Sequence, residues 1–268
     1  IVELGYRSKE PNPHGMYFNC SREFMEDAKK LVPSKTLAIM LDEKDTTALD
    51  LPQLLDECKG IISLIRLAVN PDNFDRALLI AKLIRQQGFL VSFNLMYMSK
   101  WMKDTSFLLN LIKAEGIVNY IYLVDSYGGV IPDEVASTFM RFKKILTTPL
   151  GYHGHNNMEL AFTNSLMAIE YGCEIVDCTI TGMGRGAGNL KTELFLTYLK
   201  SKSNIKFNSL NLMTLIEEFD KLKAKYHWGT SLPYMISGAF SLPQTEVMND
   251  ANLSDRNIII KLQNKYGL

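Results

Sequence analysis

The stretch Gly151-Tyr152-His153-Gly154-His155-Asn156-Asn157 contains two of the chain's four histidines, with a single residue between them. The segment 150–155 predicts a β-strand, in which residues two apart point to the same face. His153 and His155 are therefore expected on one face, within reach of a single metal ion. The alternative is two unrelated polar residues at a strand end, and the neighbouring sequence favours the metal site.

A helical pattern follows these histidines over 158–171. A second strand-like run then ends in the glycine cluster Gly182-Met183-Gly184-Arg185-Gly186-Ala187-Gly188-Asn189. Histidines after one strand and a polar glycine loop after the next are typical of an active site on the rim of a parallel barrel. The loop lacks the Gly-Lys-Ser/Thr of a phosphate loop and matches the dinucleotide pattern poorly. We expect it to approach a ligand closely, with Gly186 and Asn189 as substrate-binding residues.

Strand-like and helical segments alternate along most of the chain. The apolar, β-branched runs lie at 1–4, 36–41, 61–69, 90–98, 120–124, 150–155 and 174–180. Their near-continuous apolar character fits strands buried on both faces of a parallel sheet. Repeated strand–helix units predict an α/β fold, a TIM (β/α)8 barrel. Residues 1–203 would form the catalytic barrel, and residues 204–268 a C-terminal helical region packed on it.

The strand count is one short of a barrel. The chain begins with Ile1, which is not methionine and lies inside an apparent strand. We therefore expect the first strand of the barrel to be missing from this chain and to lie upstream of Ile1. An open doubly wound sheet tolerates seven strands and is the alternative architecture.

Composition excludes several classes of partner. Lysine plus arginine and aspartate plus glutamate both number 29, so nothing in the charge predicts binding to nucleic acid or to a membrane. The four cysteines are scattered without a metal or disulfide spacing, which suits a reducing compartment. No run resembles a membrane span or a signal peptide, so we expect a cytoplasmic protein.

Polar residues in or after the predicted strands are the candidates for chemistry. Arg66 lies within an apolar strand, where a guanidinium is costly unless it pairs with a carboxylate or faces the barrel mouth. Asp125 stands where a strand turns into a glycine loop, and its alternative role is to cap that turn. We predict catalytic roles for Arg66 and Asp125, and a substrate-binding role for Ser126.

Two imidazoles do not complete a divalent metal site. An oxygen ligand must be added, and such a mixed set suits Mn²⁺, Mg²⁺, Fe²⁺ or Zn²⁺. An ion of this kind can chelate a 2-oxo acid and stabilise an enolate. That is Lewis-acid catalysis of carbon–carbon bond cleavage or formation.

Three motifs together carry a family resemblance: Leu123-Val124-Asp125-Ser126, the histidine stretch and the glycine cluster. The combination resembles the metal-dependent barrel lyases and synthases that include 4-hydroxy-2-oxovalerate aldolase, hydroxymethylglutaryl-CoA lyase and isopropylmalate synthase. It is most similar to the aldolase branch. The resemblance covers roughly the first three quarters of the chain.

The resemblance implies roles for particular residues. His153 and His155 would be metal ligands, with Asn189 as a further ligand or a neighbouring group. In the family an aspartate and an arginine of the first strand complete the site, and this chain begins at the second strand. Tyr234, in Gly229-Thr230-Ser231-Leu232-Pro233-Tyr234, would assist proton transfer as a catalytic residue. Mn²⁺ or Mg²⁺ is the expected metal, with Zn²⁺ also open.

The expected function is a divalent-metal-dependent aldolase. It would cleave a 4-hydroxy-2-oxo acid to pyruvate and an aldehyde through a metal-stabilised enolate. One alternative is a Claisen-type synthase or lyase that acts on an acyl-CoA and a 2-oxo acid. Another is a non-catalytic barrel relative that acts as an interaction module. A small 2-oxo acid is the expected substrate, and a homodimer and an aldehyde dehydrogenase are the candidate partners.

Overall fold

A computed structural model describes residues 1–9, 15–203, 205–250 and 252–268 of the chain. The chain divides into two compact units. The first comprises Ile1–Met96, Asp104–Leu123 and Ile145–Leu150, and the second comprises Tyr97–Lys103, Val124–Lys144 and Gly151–Leu268. The division into a barrel at 1–203 and a helical region at 204–268 stays a prediction, and residue 204 lies outside the described residues.

Seven strands form a parallel sheet in the order of the sequence. They are β1 (Val2–Tyr6), β2 (Leu37–Asp42), β3 (Leu64–Val69), β4 (Leu90–Leu95), β5 (Tyr120–Asp125), β6 (Leu150–Gly154) and β7 (Cys173–Val176). This confirms the predicted α/β fold with its parallel sheet. The sequential order contradicts the doubly wound alternative, because that topology requires the strand order to reverse at a switch point.

The strands of the first unit show why the sequence folds this way. All six residues of β3 are buried, and all but Arg66 are apolar, as expected of a strand covered on both faces. Ile65 pairs in register with Ile39 of β2 and with Val91 of β4. The β-branched side chains of these neighbours suit the pleated surface that they share. Closure into an eight-stranded barrel, and a first strand upstream of Ile1, stay predictions.

Helices separate the strands and make up most of the C-terminal region. Those between strands are α1 (Arg22–Leu31), α2 (Leu51–Leu55), α3 (Phe74–Gln86), α4 (Met98–Trp101), α5 (Thr105–Asn110), α6 (Pro132–Lys143) and α7 (Ala161–Glu170). Beyond β7 lie α8 (Thr192–Lys202), α9 (Ser209–Tyr226), α10 (Leu232–Ala239), α11 (Thr245–Met248) and α12 (Asp255–Tyr266). Caps fix several of the starts: Asn208 accepts from the second and third N–H groups of α9, and Ser254 accepts from Asn257 of α12.

Two predicted strands end earlier in the structure. The segment predicted at 90–98 ends at Leu95, because Tyr97 takes a left-handed conformation with φ 65° and donates its N–H to Ser126 Oγ at 2.8 Å. The segment predicted at 174–180 ends at Val176. Thr179 instead donates its N–H to the carbonyl of Leu190 at 3.0 Å, which draws the chain toward the glycine loop.

None of the helices in the described ranges combines the length and the apolar character that a bilayer crossing requires.

Candidate functional site

The histidine pair lies in the second unit, at the carboxyl end of β6. His153 belongs to the strand and His155 follows it directly. The centroids of the two imidazole rings are 5.2 Å apart. His153 is partly exposed, whereas His155 is only 8% exposed. The structure thus brings the two predicted metal ligands together on one face.

The ring of His153 is oriented by a carboxylate. Nδ1 of His153 lies 2.9 Å from Oδ2 of Asp177, which directly follows β7. An Nδ1–H that donates to this carboxylate leaves Nε2 with its lone pair. Metal-binding histidines are usually oriented in this way. Asp177 follows a strand directly, as the polar candidate residues do, so the sequence could have marked it, but it was not among the predicted site residues.

The ring of His155 is held by a glutamine from the C-terminal region. The side-chain amide of Gln244 contacts Nδ1 of His155 and donates to the carbonyl of Ser126 at 3.2 Å. Its oxygen accepts from the N–H of Ala187 at 3.3 Å. One buried side chain therefore joins the loop after β5, the end of β6 and the glycine loop. Sequence reasoning missed Gln244, because no periodic pattern marks a residue 89 positions away from His155.

The electrostatic surroundings keep His155 neutral. Burial, followed by the electrostatic influence of His153 and of Arg185, lowers the pKa of His155 well below its ordinary value. A hydrogen bond to the carbonyl of Ser126 partly opposes this effect. A neutral imidazole is the form that binds metal.

Asn189 pairs with His155 through the backbone and carries a side-chain oxygen atom. Its backbone forms an antiparallel bridge with His155, so the two side chains share a face. Nδ2 of Asn189 donates to the carbonyl of Met183 at 3.1 Å. Its Oδ1 is buried and has no hydrogen-bond partner among the described residues. This orphaned oxygen and the two imidazoles are the nitrogen and oxygen donors that a divalent ion takes.

The described part of the chain holds no group of three His, Cys, Asp or Glu side chains placed to bind one ion. The residues present thus fit part of a divalent metal site: two imidazole ligands and one amide oxygen. The remaining positions of such a site are filled by water, by substrate or by a ligand from elsewhere in the protein.

Asp125 is the most enclosed of the predicted catalytic residues, at 1% exposed. Its Oδ1 accepts from the N–H groups of Gly128 and Gly129, at 2.9 and 3.3 Å, and its Oδ2 from that of Val130 at 3.1 Å. Burial raises the pKa of Asp125 to about 6, and these amide bonds oppose the rise. The geometry matches the turn-capping alternative, and the catalytic role of Asp125 stays a prediction.

Ser126 and Gly186 both contact other protein groups. The hydroxyl of Ser126 accepts from Tyr97 N–H, and its carbonyl accepts from Gln244. A Cβ built on Gly186 would lie 2.2 Å from Oε1 of Gln244 and 2.8 Å from Cε1 of Tyr234. Side chains of the C-terminal region thus fill the space beside Gly186. Substrate binding by Ser126 and Gly186 stays a prediction.

Arg66 belongs to the first unit, in β3, and is 5% exposed. Its guanidinium lies 2.7 Å from a carboxylate oxygen of Glu3, donates to Asn94 Oδ1 at 3.3 Å and stacks 4.3 Å from the ring centroid of Tyr122. The carboxylate partner that a buried guanidinium requires is therefore present. A catalytic role for Arg66 stays a prediction.

Tyr234 lies in the first turn of α10 and is partly buried. Burial, and then the charge of Asp255, raise the pKa of Tyr234 above its ordinary value. The side-chain amide of Asn157, the last residue of the histidine stretch, donates to the carbonyl of Tyr234 at 3.2 Å and to Ser237 Oγ at 3.1 Å. The histidine stretch therefore anchors the helix that carries Tyr234, a role for Asn157 that the sequence did not reveal.

Comparison with known proteins gives a consistent result. A family model described as HMGL-like matches residues 68–218. The chain is 30% identical over 187 residues to a 4-hydroxy-2-oxovalerate aldolase of Geobacillus genomosp. 3, which covers 69% of the chain and 54% of that protein. It is 41% identical over 93 residues to one of Desulfitobacterium hafniense, covering 35% of the chain and 28% of that protein. The chain thus spans about half or less of the length of these relatives.

Solved structures share the fold. The N-terminal domain of a "putative aldolase" from Bacteroides vulgatus superposes with a TM-score of 0.90 at 43% identity, covering 97% of this chain and 86% of that one. The carboxyl transferase domain of Rhizobium etli pyruvate carboxylase gives a TM-score of 0.70 at 15% identity, covering 90% and 45%. At that identity the second likeness shows the fold alone.

Proposed function

Because the chain belongs to the HMGL-like family, we propose that it forms the catalytic part of a divalent-metal-dependent aldolase that cleaves a 4-hydroxy-2-oxo acid to pyruvate and an aldehyde. The observation that carries the proposal is the pair His153 and His155, whose Nδ1 atoms both lie against protein groups. The carboxylate of Asp177 leaves Nε2 of His153 for the ion, and the ring of His155 lies on the same face, with its centroid 5.2 Å from that of His153. The names of the aldolase relatives support the reaction class.

His153, His155 and Asn189 would hold the ion. When bound there, a divalent ion would supply Lewis-acid chemistry to a 2-oxo acid. Mn²⁺ or Mg²⁺ suits a site completed by oxygen ligands, and Zn²⁺ suits its imidazoles. Burial keeps His155 neutral, and Asp177 fixes the tautomer of His153 that leaves Nε2 for the ion.

Residues of the chain would carry out the proton transfers of the cleavage. Cleavage between C3 and C4 removes the proton of the 4-hydroxyl, and C3 of the product gains one. Tyr234 carries its proton at neutral pH, and its ring lies against Gly186, so its hydroxyl would hold a proton close to the glycine loop. Asp125 shapes the loop that carries Ser126, and the carbonyl of Ser126 in turn receives Gln244.

The test uses the protein as its gene encodes it. Pyruvate release from 4-hydroxy-2-oxovalerate would be followed with lactate dehydrogenase, alongside the bound metal content, for wild type, His153→Ala and His155→Ala. Both variants should lose metal and turnover. His227→Asn removes an exposed imidazole outside the pair and should keep the wild-type metal content. Wild-type pyruvate release by either alanine variant would refute the proposal.

Two other outcomes would redirect the assignment. Bound metal without pyruvate release would favour the Claisen-type alternative, in which an acyl-CoA and a 2-oxo acid are the reactants. The absence of metal from the protein as its gene encodes it would favour the non-catalytic alternative.

A further inference from the structure

A cavity of about 830 Å³ lies in the second unit, beside the glycine loop. Its wall includes Asn189 and Tyr234, together with residues from α9, from the turn before α10 and from the start of α12. The backbone of Asn189 pairs with that of His155, and the ring of Tyr234 lies against Gly186. The cavity thus adjoins the proposed metal site through Asn189 and the glycine loop through Tyr234.

Buried polar atoms in the wall lack partners. Thr181 is 5% exposed and Asn189 is 9% exposed, and both line the cavity. Oγ1 of Thr181 and Oδ1 of Asn189 form no hydrogen bond with any described residue. Because Oδ1 of Asn189 is assigned to the ion, Oγ1 of Thr181 is the atom left for a ligand in the cavity. An unpaired buried oxygen costs free energy that a ligand hydroxyl or a water can recover. Trp228, which also lines the cavity, donates to the carbonyl of Thr181 at 3.2 Å and holds that residue in place.

Five charged side chains of the cavity wall are also available to a ligand. Lys191 and Lys223 provide two ammonium groups, and Glu159, Asp220 and Asp255 provide three carboxylates. Within the described ranges, none of these five side chains forms an ion pair. The end of Lys223 lies against Gly229, since a Cβ built there would be 3.9 Å from Nζ. The wall therefore offers donors and acceptors of both kinds.

We propose that this cavity binds the aldehyde half of the substrate and that this half is a polyhydroxylated chain. The inference rests on the proposed function, because it assigns the part of the 4-hydroxy-2-oxo acid beyond C4. Hydroxyl groups both donate and accept, which matches a wall that carries ammonium groups, carboxylates and the unpaired hydroxyl of Thr181. An anionic tail is disfavoured because the carboxylates outnumber the ammonium groups.

The size of the cavity supports the same substrate class. Its volume falls within the range of roughly 300–1,000 Å³ that small-molecule sites occupy. Acetaldehyde has three non-hydrogen atoms and would displace about three waters, roughly 90 Å³. It would leave most of the cavity and nearly all of its polar groups to solvent. An aldehyde with several hydroxyl groups would fill more of the cavity and form hydrogen bonds with its polar groups.

The kinetic test compares two substrates. The values of kcat/KM for pyruvate release would be measured with 4,5,6-trihydroxy-2-oxohexanoate and with 4-hydroxy-2-oxovalerate. The hydroxylated acid should be preferred by at least about tenfold, the effect of one or two hydrogen bonds. Lys223→Met should lower its kcat/KM about tenfold, and lower that of 4-hydroxy-2-oxovalerate by a much smaller factor, because this acid carries no hydroxyl beyond C4. Lys221→Met, on the exposed face of the same helix and paired with Glu218, is the matched control and should change neither value.

The binding test needs no turnover. Trp101→Phe leaves Trp228 as the sole tryptophan of the chain, so its fluorescence reports on the cavity. Erythritol should change the Trp228 emission, butan-1-ol should not, and Lys223→Met should abolish the erythritol response.

The two tests separate the two proposals. Pyruvate release with equal or better use of 4-hydroxy-2-oxovalerate would overturn the cavity assignment and leave the aldolase intact. No release from either acid would overturn the aldolase, and the erythritol titration would then decide whether the cavity binds polyols. A Trp228 emission that does not change when erythritol is added would overturn the cavity assignment in either case.

Discussion

The carboxylate of Asp177 lies 2.9 Å from Nδ1 of His153 and thereby fixes which nitrogen of that imidazole faces away from the protein. Asp177 directly follows β7, and His153 is the second-last residue of the neighbouring strand β6, so the pairing follows from the parallel order of the sheet. The same carboxylate would raise the basicity of the ligand.

Replacing Asp177 should weaken metal binding. Asp177→Ala removes the acceptor for the Nδ1–H of His153, and loss of such a partner typically costs 10–100-fold in metal affinity. We expect a decrease of about this size, measured by titration with Mn²⁺. Glu174→Ala removes an exposed acid of the same strand, paired with Lys143, and is the matched control. Equal affinities for all three proteins would contradict the role given to Asp177.

Replacing Gln244 should affect both stability and the site. Gln244→Met keeps the length of the side chain but leaves the N–H of Ala187 and the carbonyl of Ser126 without their partner. Buried groups unpaired in this way cost about 1–3 kcal/mol. Denaturant unfolding should show that loss, and the metal affinity should fall. Gln263→Met on the exposed side of α12 should change neither quantity. A Gln244→Met protein as stable as wild type would contradict the role of Gln244 in joining the loop after β5, the end of β6 and the glycine loop.

Asp125 should make stability depend on pH. Its pKa is raised from 3.8 to about 6, so the folded state holds the proton more tightly than the unfolded state does. The free energy of unfolding should therefore fall as the pH rises from about 4 to about 6, by roughly 3 kcal/mol, and stay constant above that range. Asp125→Asn should remove this component. Parallel pH profiles for the two proteins would show that Asp125 does not titrate in this way.

Gly186 should not tolerate a side chain. Gly186→Ala would drive a methyl group into Gln244 and Tyr234, at a position where φ is +58°. Gly60→Ala is the matched control, because Gly60 has φ +78° and nothing within 4 Å of its built Cβ. Both variants should lose about 1 kcal/mol from backbone strain. Gly186→Ala should lose a further 1–3 kcal/mol from overpacking. Equal losses in thermal unfolding would show that the space beside Gly186 is open.

The fold was largely predictable because its signals are local. The run at 64–69 is apolar at five of six positions, and a strand buried on both faces requires that. The period of two residues placed His153 and His155 together. The strand-end rule marked Asp125, though its bonds to three backbone amides emerge only once the loop is folded.

The remaining contacts of the site depend on tertiary structure. Gln244 meets Ser126 across 118 residues, and Asn157 meets Tyr234 across 77. No spacing rule connects such positions. The predicted strand 90–98 was too long because Met98 already belongs to α4, and Tyr97 turns the chain between the two elements.

The measurement that tests the central claim most directly is pyruvate release before and after removal of divalent metal. The protein as its gene encodes it would be treated with a chelator, assayed with a 4-hydroxy-2-oxo acid, and assayed again after Mn²⁺ is restored. We expect the activity to disappear and return in wild type, and to stay absent in His153→Ala and His155→Ala. Release that survives both the chelator and the loss of either histidine would contradict a metal-dependent aldolase held by this pair.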